Sequence, residues 1–126
     1  MDNDKEKFKK EFAGRIHRFI LRLIKFIDNL DKNDSTCRVV GHNQLMKSGT
    51  SLGGNYFEAQ SASSKKDFAN FFSIALKSAN ESKFWLIILR DANKCNRDEA
   101  NELLKELVEI SNILGSSLKT LKGKNK

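Results

Sequence analysis

The side chains most capable of binding a ligand are four cations in the first third of the chain. Arg15, Arg18, Arg22 and Lys25 recur at steps of three, four and three residues, and no acid interrupts them within the row. Residues three and four apart share one side of an α-helix, so the four form a basic stripe. Such a stripe suits phosphate oxygens. It also fits a solvated face whose long side chains cover apolar neighbours, or a charged contact between subunits.

The overall charge points to the same class of partner. The chain has a formal net charge of +7, with 23 Lys and Arg residues against 16 Asp and Glu. This excess suits nucleic acid or an anionic membrane surface, although it also lies within the ordinary range for a small soluble domain. Weaker candidates for phosphate contact lie outside the stripe. They are Lys47, Lys65 and Lys66.

Catalytic and metal-binding arrangements are not evident in the sequence. The histidines, His17 and His42, have no partner at ligand spacing, and Cys37 and Cys95 match no zinc or redox spacing. The segment from Gly41 to Ser48 lacks the glycine that precedes the lysine in a phosphate-binding loop. We therefore expect a protein that is not an enzyme and that has no metal and no cofactor.

A polar stripe organises the predicted second helix. Its residues recur at steps of four, three, four and three: Gln44, Ser48, Ser51, Asn55 and Glu58. An inward-facing polar group needs a hydrogen-bond partner in the core. Ser78, Glu81 and Ser82 can provide partners from the predicted third helix. Glu58 and Glu81 could form a carboxylate pair, but bundles that hold two metal ions use Glu-x-x-His motifs, which are absent here. We therefore expect these carboxyls to be buried and hydrogen-bonded.

The apolar residues predict the elements that position these stripes. Apolar side chains recur at three- and four-residue steps over four segments, which indicates amphipathic helices over about residues 5–30, 36–60, 65–93 and 97–121, followed by a basic tail at 122–126. The nine phenylalanines fall at core spacing, so they are expected in the core and not as stacking platforms for bases. Trp85 and Tyr56 are expected in the core as well. Gly49 and Gly53, four residues apart, would let another helix approach closely.

These elements define a fold class and a setting. Four amphipathic helices with short connections predict an all-α, antiparallel up-down four-helix bundle that forms a single domain over residues 1–126. The charged first residues lack the apolar stretch of a signal peptide, and no run is apolar enough to span a bilayer. With only two cysteines, a reducing, cytoplasmic setting without membrane association is expected.

Two patterns resemble the signature of a known family. One runs from Gln44 through Ser48, Ser51 and Asn55 to Glu58; the other begins with Asp67-Phe68 and continues through Phe71, Ile74-Ala75, Ser78 and Glu81 to Trp85-Leu86. They resemble the small bacterial four-helix bundle proteins encoded in intervening sequences of 23S ribosomal RNA genes. The same family includes the accessory variability determinant of diversity-generating retroelements. The resemblance covers nearly the whole chain, from about Phe8 to Leu121.

The resemblance implies an up-down bundle that assembles as a homopentameric ring with a basic surface. For the retroelement members it implies binding of nucleic acid and of a reverse transcriptase. The family's signature residues are structural, so they do not transfer as a binding site. Together with the charge, this predicts a protein that binds structured RNA or DNA through phosphate contacts. A second hypothesis is a protein-interaction scaffold that docks a partner such as a reverse transcriptase and uses the basic stripe in subunit assembly.

Overall fold

Four helices and no strand make up the part of the chain that the computed structural model describes, residues 2–124, with side chains for residues 3–123. In chain order, helix α1 spans Asp2–Asp28, a π-helical segment spans Cys37–Leu45, helix α2 spans Met46–Ala59, helix α3 spans Lys65–Asp91, and helix α4 spans Arg97–Lys124. The predicted all-α class and the four-helix bundle are confirmed.

Local hydrogen bonds and backbone conformations set the helix ends, and the sequence predicts some of these ends. The backbone N–H of Asp67 donates to Ser64 Oγ at 3.1 Å, which starts α3 at the predicted position. Helix α3 ends two residues earlier than predicted because Asn93 adopts a left-handed backbone with φ of 58°. The predicted tail at 122–126 is helical through Lys124, and residues 125–126 lie outside the described part of the chain.

The second helical stretch differs from the predicted single α-helix over residues 36–60. Residues 35–59 are continuously helical, but nine of them are π-helical, with the i to i+5 hydrogen bonds of that form. Within this segment Cys37, Gly41 and Leu45 are buried at four-residue steps. The carboxylate of Asp34 holds the start of the segment, since it accepts the backbone N–H of Cys37 at 3.0 Å and Lys94 Nζ at 2.7 Å. Chiefly through the bond from Lys94, these contacts lower the pKa of Asp34 to about 2.

The core runs along the whole bundle and receives bulky apolar side chains from every helix. The largest fully buried ones include Phe19, Leu23, Ile27, Leu52, Leu86, Leu89, Leu107, Ile110 and Leu114. The expectation that all nine phenylalanines are in the core is wrong for three of them: Phe8, Phe57 and Phe84 expose 52%, 73% and 52% of their surface. Tyr56 is buried as expected, whereas Trp85 is half-buried.

Helix α2 lies close against α1 because two of its positions have no side chain. A Cβ atom placed on Gly49 would collide with Leu23 of α1, and one placed on Gly53 would collide with Ile20. Leu23 is fully buried, so it has little room to yield. The predicted close approach at Gly49 and Gly53 is thus confirmed. In contrast, a Cβ atom on Gly54 would meet nothing within 4 Å.

The two glycine environments predict opposite effects of the same substitution. Gly54→Ala should raise the free energy of unfolding by about 1 kcal/mol, because alanine is the better helix former and the site is open. Gly49→Ala gains the same propensity but forces Leu23 to move, at a cost of about 1–3 kcal/mol, so we expect net destabilisation. Urea unfolding of both variants checks this. Equal stabilisation by the two substitutions would contradict the close packing.

Candidate nucleic-acid interface

The seven candidate phosphate-binding residues do not share one surface. The four residues of the basic stripe lie on α1, where Arg15 and Arg22 pair with acids of α4. Lys47 is exposed on α2, next to Ser48, whose side chain points toward α3. Lys65 and Lys66 are exposed at the first turn of α3. The stripe is therefore the one group among the seven that the fold keeps together.

Arg15 is engaged within the chain by a two-bond ion pair with α4. Its Nε and Nη2 atoms donate to the two carboxylate oxygens of Glu106 at 2.7 and 2.9 Å. This hydrogen bonding raises the pKa of Arg15 and lowers the pKa of Glu106. Both side chains are partly shielded from water, with 34% and 21% exposed. A guanidinium held in this way has a structural partner already, so Arg15 is the least available of the four for a phosphate.

The remaining stripe residues are more open to solvent. Arg22 Nη2 lies 3.8 Å from Glu102, and both side chains are more than half exposed, so this pair is weak. Arg18 and Lys25 are exposed and form no ion pair within residues 3–123. The acidic side of α4 thus neutralises part of the stripe from within the same chain. The sequence had left open a charged contact of the stripe with a neighbouring subunit.

The polar stripe of α2 forms a hydroxyl cluster against α3. The Oγ atoms of Ser48 and Ser82 are 2.8 Å apart, and Ser82 donates to the backbone oxygen of Ser78 at 2.9 Å. Ser78 in turn donates to Ser51 Oγ at 3.0 Å, and the amide of Asn55 donates to the same oxygen. We call these five residues the hydroxyl cluster. It is structural, because its donors and acceptors satisfy one another inside the bundle.

The two ends of the predicted stripe do not join this cluster. Glu58 and Glu81 are exposed, so the expected buried, hydrogen-bonded carboxyls are wrong. A buried carboxylate requires strong compensation, which the serine hydroxyls do not offer. Gln44 is half-buried beside the cluster and makes no side-chain hydrogen bond among the described residues. The helical spacing identified the side of α2 that faces inward, but the inward-facing polar stripe is shorter than predicted.

Sequence reasoning identified the basic tail but not that it adjoins lysines of α1, with which it forms a second basic region at one end of the bundle. Helix α4 changes character along its length: its acids end at Glu109, and only lysines follow among its charged residues. Near the end of α4 the exposed Lys119 and Lys122 lie at the same end of the bundle as Lys5 and Lys9 of α1, since both helices line one cavity there. We call these four lysines the basic end. The sequence did contain a signal for this region, namely the change from acidic to basic residues along the last helix.

Metal clusters, membrane spans and disulfides are not found among the described residues. No three His, Cys, Asp or Glu side chains there converge as they would around a metal ion. None of the helices over residues 2–124 has the length and apolar character that a membrane span requires. Cys37 and Cys95 are both free thiols, and burial is the main cause that raises the pKa of each.

Fold and surface together define a small basic four-helix bundle. The family model described as 23S rRNA-intervening sequence protein matches residues 11–116. The chain therefore belongs to the 23S rRNA-intervening sequence protein family. Among solved structures, it is similar to a protein of unknown function from the S23 ribosomal protein family of Bacteroides thetaiotaomicron. That protein is 32% identical with a TM-score of 0.74, and the match covers 86% of this chain and 98% of the other. No curated protein matches the chain.

The two ion pairs between α1 and α4 predict different coupling energies. A double-mutant cycle with Arg15→Met and Glu106→Gln should give about 0.5–1 kcal/mol at neutral pH, since the pair is bidentate but still screened. Because the folded-state pKa of Glu106 lies below its ordinary value of 4.5, this coupling is present above that pH and disappears as the pH falls further. The cycle with Arg22→Met and Glu102→Gln serves as the control, and its coupling energy should be near zero. Equal coupling energies for the two pairs would contradict the observed geometry.

Proposed function

We propose that this protein is a non-enzymatic, oligomeric bundle that binds structured RNA or DNA through its basic surface, in the reducing setting of the cytoplasm. Binding would be largely independent of sequence, because lysines and arginines on a helix surface contact phosphates rather than base edges. The observation that carries the proposal is the uneven distribution of charge. The basic stripe and the basic end both present exposed cations, and the chain as a whole carries a net charge of +7.

We also propose that the four helices form one domain with antiparallel up-down connections. The pairs across each helix interface support this arrangement. Ser48 contacts Ser82 while Ser51, further along α2, contacts Ser78, earlier on α3. Likewise Arg15 pairs with Glu106, and Arg22 lies near the earlier Glu102. In an up-down bundle the first and last helices are neighbours, so α1 and α4 can present one shared charged face.

Family membership favours RNA as the polyanion. The matching family is described as 23S rRNA-intervening sequence protein, a description that refers to an RNA. Charge complementarity alone does not distinguish RNA from DNA, since both present regularly spaced phosphates. We therefore propose structured RNA as the first ligand to test, with duplex DNA of equal length as the comparison.

Removal of three open cations should weaken RNA binding in a salt-dependent way. The variant Arg18→Gln, Arg22→Gln, Lys25→Gln spares the Arg15–Glu106 pair, so the fold should persist. We expect the slope of log affinity against log salt to become shallower by about 2 to 3, since each lost phosphate contact removes nearly one released counterion. Fluorescence anisotropy of a labelled RNA hairpin at low and moderate salt measures this slope.

A matched variant separates a local site from a general charge effect. Arg38→Gln, Arg97→Gln, Lys105→Gln removes the same number and kinds of cation from exposed positions outside the stripe. Retained affinity in this control and loss in the stripe variant would support the stripe as the site. Equal loss in both would assign binding to net charge alone. If the unaltered protein fails to bind RNA or DNA even at low salt, the nucleic-acid proposal is wrong.

The alternative function is a scaffold that docks a protein partner, such as a reverse transcriptase. One observation favours it: an apolar surface lies exposed between α1 and α2. A shallow groove there is lined by Ala13, His17, Ile20, Gly53 and Phe57. Phe57 is 73% exposed, and Leu21, one helical turn beyond His17, is 54% exposed. We call this surface, including Leu21, the α1–α2 apolar face. Exposed apolar patches of this kind often mark protein contacts, including contacts between copies in a ring such as a pentamer.

Charged substitutions on this face should disrupt assembly if it joins the copies. We expect the double variant Leu21→Glu, Phe57→Glu to have the molar mass of a single chain when measured by light scattering. An interface on this face would have to bury two carboxylates, which is costly. The control Phe84→Glu, Val108→Glu places the same charges at exposed apolar positions on α3 and α4 and should leave the mass unchanged. An oligomer that survives the first pair and dissociates with the second would locate the interface on α3 and α4 instead.

A further inference from the structure

A cavity lined by aromatic rings opens at the basic end of the bundle. It has a volume of about 580 Å³ and lies where the first turns of α1, the end of α2, the start of α3 and the end of α4 meet. Five rings contribute to its wall: Phe8, Phe12, Tyr56, Phe68 and Phe72. None of the other cavities described between residues 3 and 123 has more than two aromatic side chains in its lining.

The rings form a continuous chain rather than isolated contacts. Phe8 stacks on Phe12 with centroids 6.1 Å apart, and Phe12 meets the edge of Tyr56 at 5.1 Å. The chain continues from Tyr56 to Phe72 at 5.6 Å and from Phe72 to the stacked Phe68 at 4.5 Å. Four of these rings are buried or half-buried, while Phe8 is 52% exposed. Phe8 therefore presents an aromatic surface to solvent at the edge of an apolar recess.

Polar groups of the cavity are few and suit a ligand with hydrogen-bonding edges. Desolvation by burial raises the pKa of Tyr56 above its ordinary value. Its hydroxyl forms no hydrogen bond within residues 3–123, and Tyr56 is one of the residues that line the cavity. Gln60, Ser116 and Thr120 add further polar atoms to the wall. A purely aliphatic ligand would leave these groups unused.

The charges around the opening favour an anionic ligand. Lys5 and Lys9 line the cavity from α1, one helical turn apart, with Asp4 as the acid beside them. Lys119 and Lys122 are exposed on the neighbouring end of α4. The cations lie around the opening, whereas the recess itself is aromatic. This arrangement matches a ligand whose flat, uncharged part enters while its charged part stays outside.

We propose that this cavity takes one unpaired base of an RNA, stacked on Phe8, with the flanking phosphates near Lys5 and Lys9. The inference rests on the proposed function, since it assumes that the protein binds RNA. A base offers a π-face for the rings and polar edges for Tyr56, and its backbone supplies the negative charge on both sides. The stripe and the basic end would then have separate tasks, one for the duplex and one for an unpaired nucleotide.

The test compares two RNA hairpins of equal length and charge. One carries a single bulged 2-aminopurine, and the other has the same fluorophore within the paired stem. We expect tighter binding of the bulged hairpin and a change in 2-aminopurine fluorescence as the base stacks on Phe8. Phe8→Ala should weaken binding of the bulged hairpin about tenfold, within the range for loss of one base–aromatic stack, and leave the paired hairpin unaffected.

Two further variants separate stacking from general damage. Phe84→Ala removes a ring with the same 52% exposure from outside the cavity, so it should preserve the preference for the bulge. Phe8→Leu keeps an apolar side chain but removes the aromatic face, so it should still lose the fluorescence change. Equal loss of preference in the Phe84 and Phe8 variants would overturn the assignment of the site.

The outcomes distinguish this inference from the function on which it rests. If both hairpins bind with equal affinity and no fluorescence change, the cavity is not a base site, while RNA binding through phosphates stands. Failure of both hairpins to bind at low salt overturns the two proposals together. A reduced molar mass of Phe8→Ala, with unaltered RNA binding, would identify the cavity as a contact with a second copy and would overturn the inference.

Discussion

The hydroxyl cluster between α2 and α3 is the constraint on which much of the bundle depends. Ser48, Ser51, Ser78 and Ser82 place small polar side chains where two helices meet, and each hydroxyl must find a partner there. Ser48 and Ser82 also bond backbone oxygens of their own helices, so a shift of either helix by one residue would break the hydroxyl–hydroxyl bonds between the helices, at a cost of about 0.5–1.5 kcal/mol for each. The cluster therefore fixes the register of α2 on α3, and with it the faces that both helices offer to α1 and α4.

On the side that faces α1, helix α2 packs closely because two of its positions have no side chain. Gly49 and Gly53 let α1 approach until Leu23 and Ile20 occupy the space of the missing side chains. Together, the serines and the glycines make α2 a narrow helix packed between two neighbours. This packing explains how a segment with low helix propensity stays helical from residue 35 to residue 59, because tertiary contacts replace intrinsic preference.

Much of this architecture was accessible from the sequence, and the failures have physical causes. Periodicity predicted four helices and the inward side of α2, because burial acts on local sequence patterns. It did not predict the π-helical segment, whose first turn contacts Asp34 and through it the distant Lys94. It also treated Phe8, Phe57 and Phe84 as core, since spacing indicates a side of a helix but does not establish that a neighbour covers it.

The candidate site was predicted less well than the fold. The basic stripe was found, but its pairing with Glu102 and Glu106 depends on α1 and α4 being neighbours, which no local pattern states. The aromatic cavity combines residues from all four helices, from Phe8 near one end of the chain to Thr120 near the other. Sites assembled from distant parts of a chain carry no compact motif, so the three-dimensional arrangement is needed to see them.

The reversal of charge along α4 has a consequence for how the molecule meets a partner. Acids in the first half of this helix and lysines in the second give the bundle an electric dipole moment along its long axis. In the field of a polyanion, a body with such a moment experiences a torque as well as an attraction. For a polyanionic partner of the kind proposed above, each molecule would therefore rotate before contact so that the opening near Lys5 and Lys9 leads, which shortens the orientational search that limits most encounters.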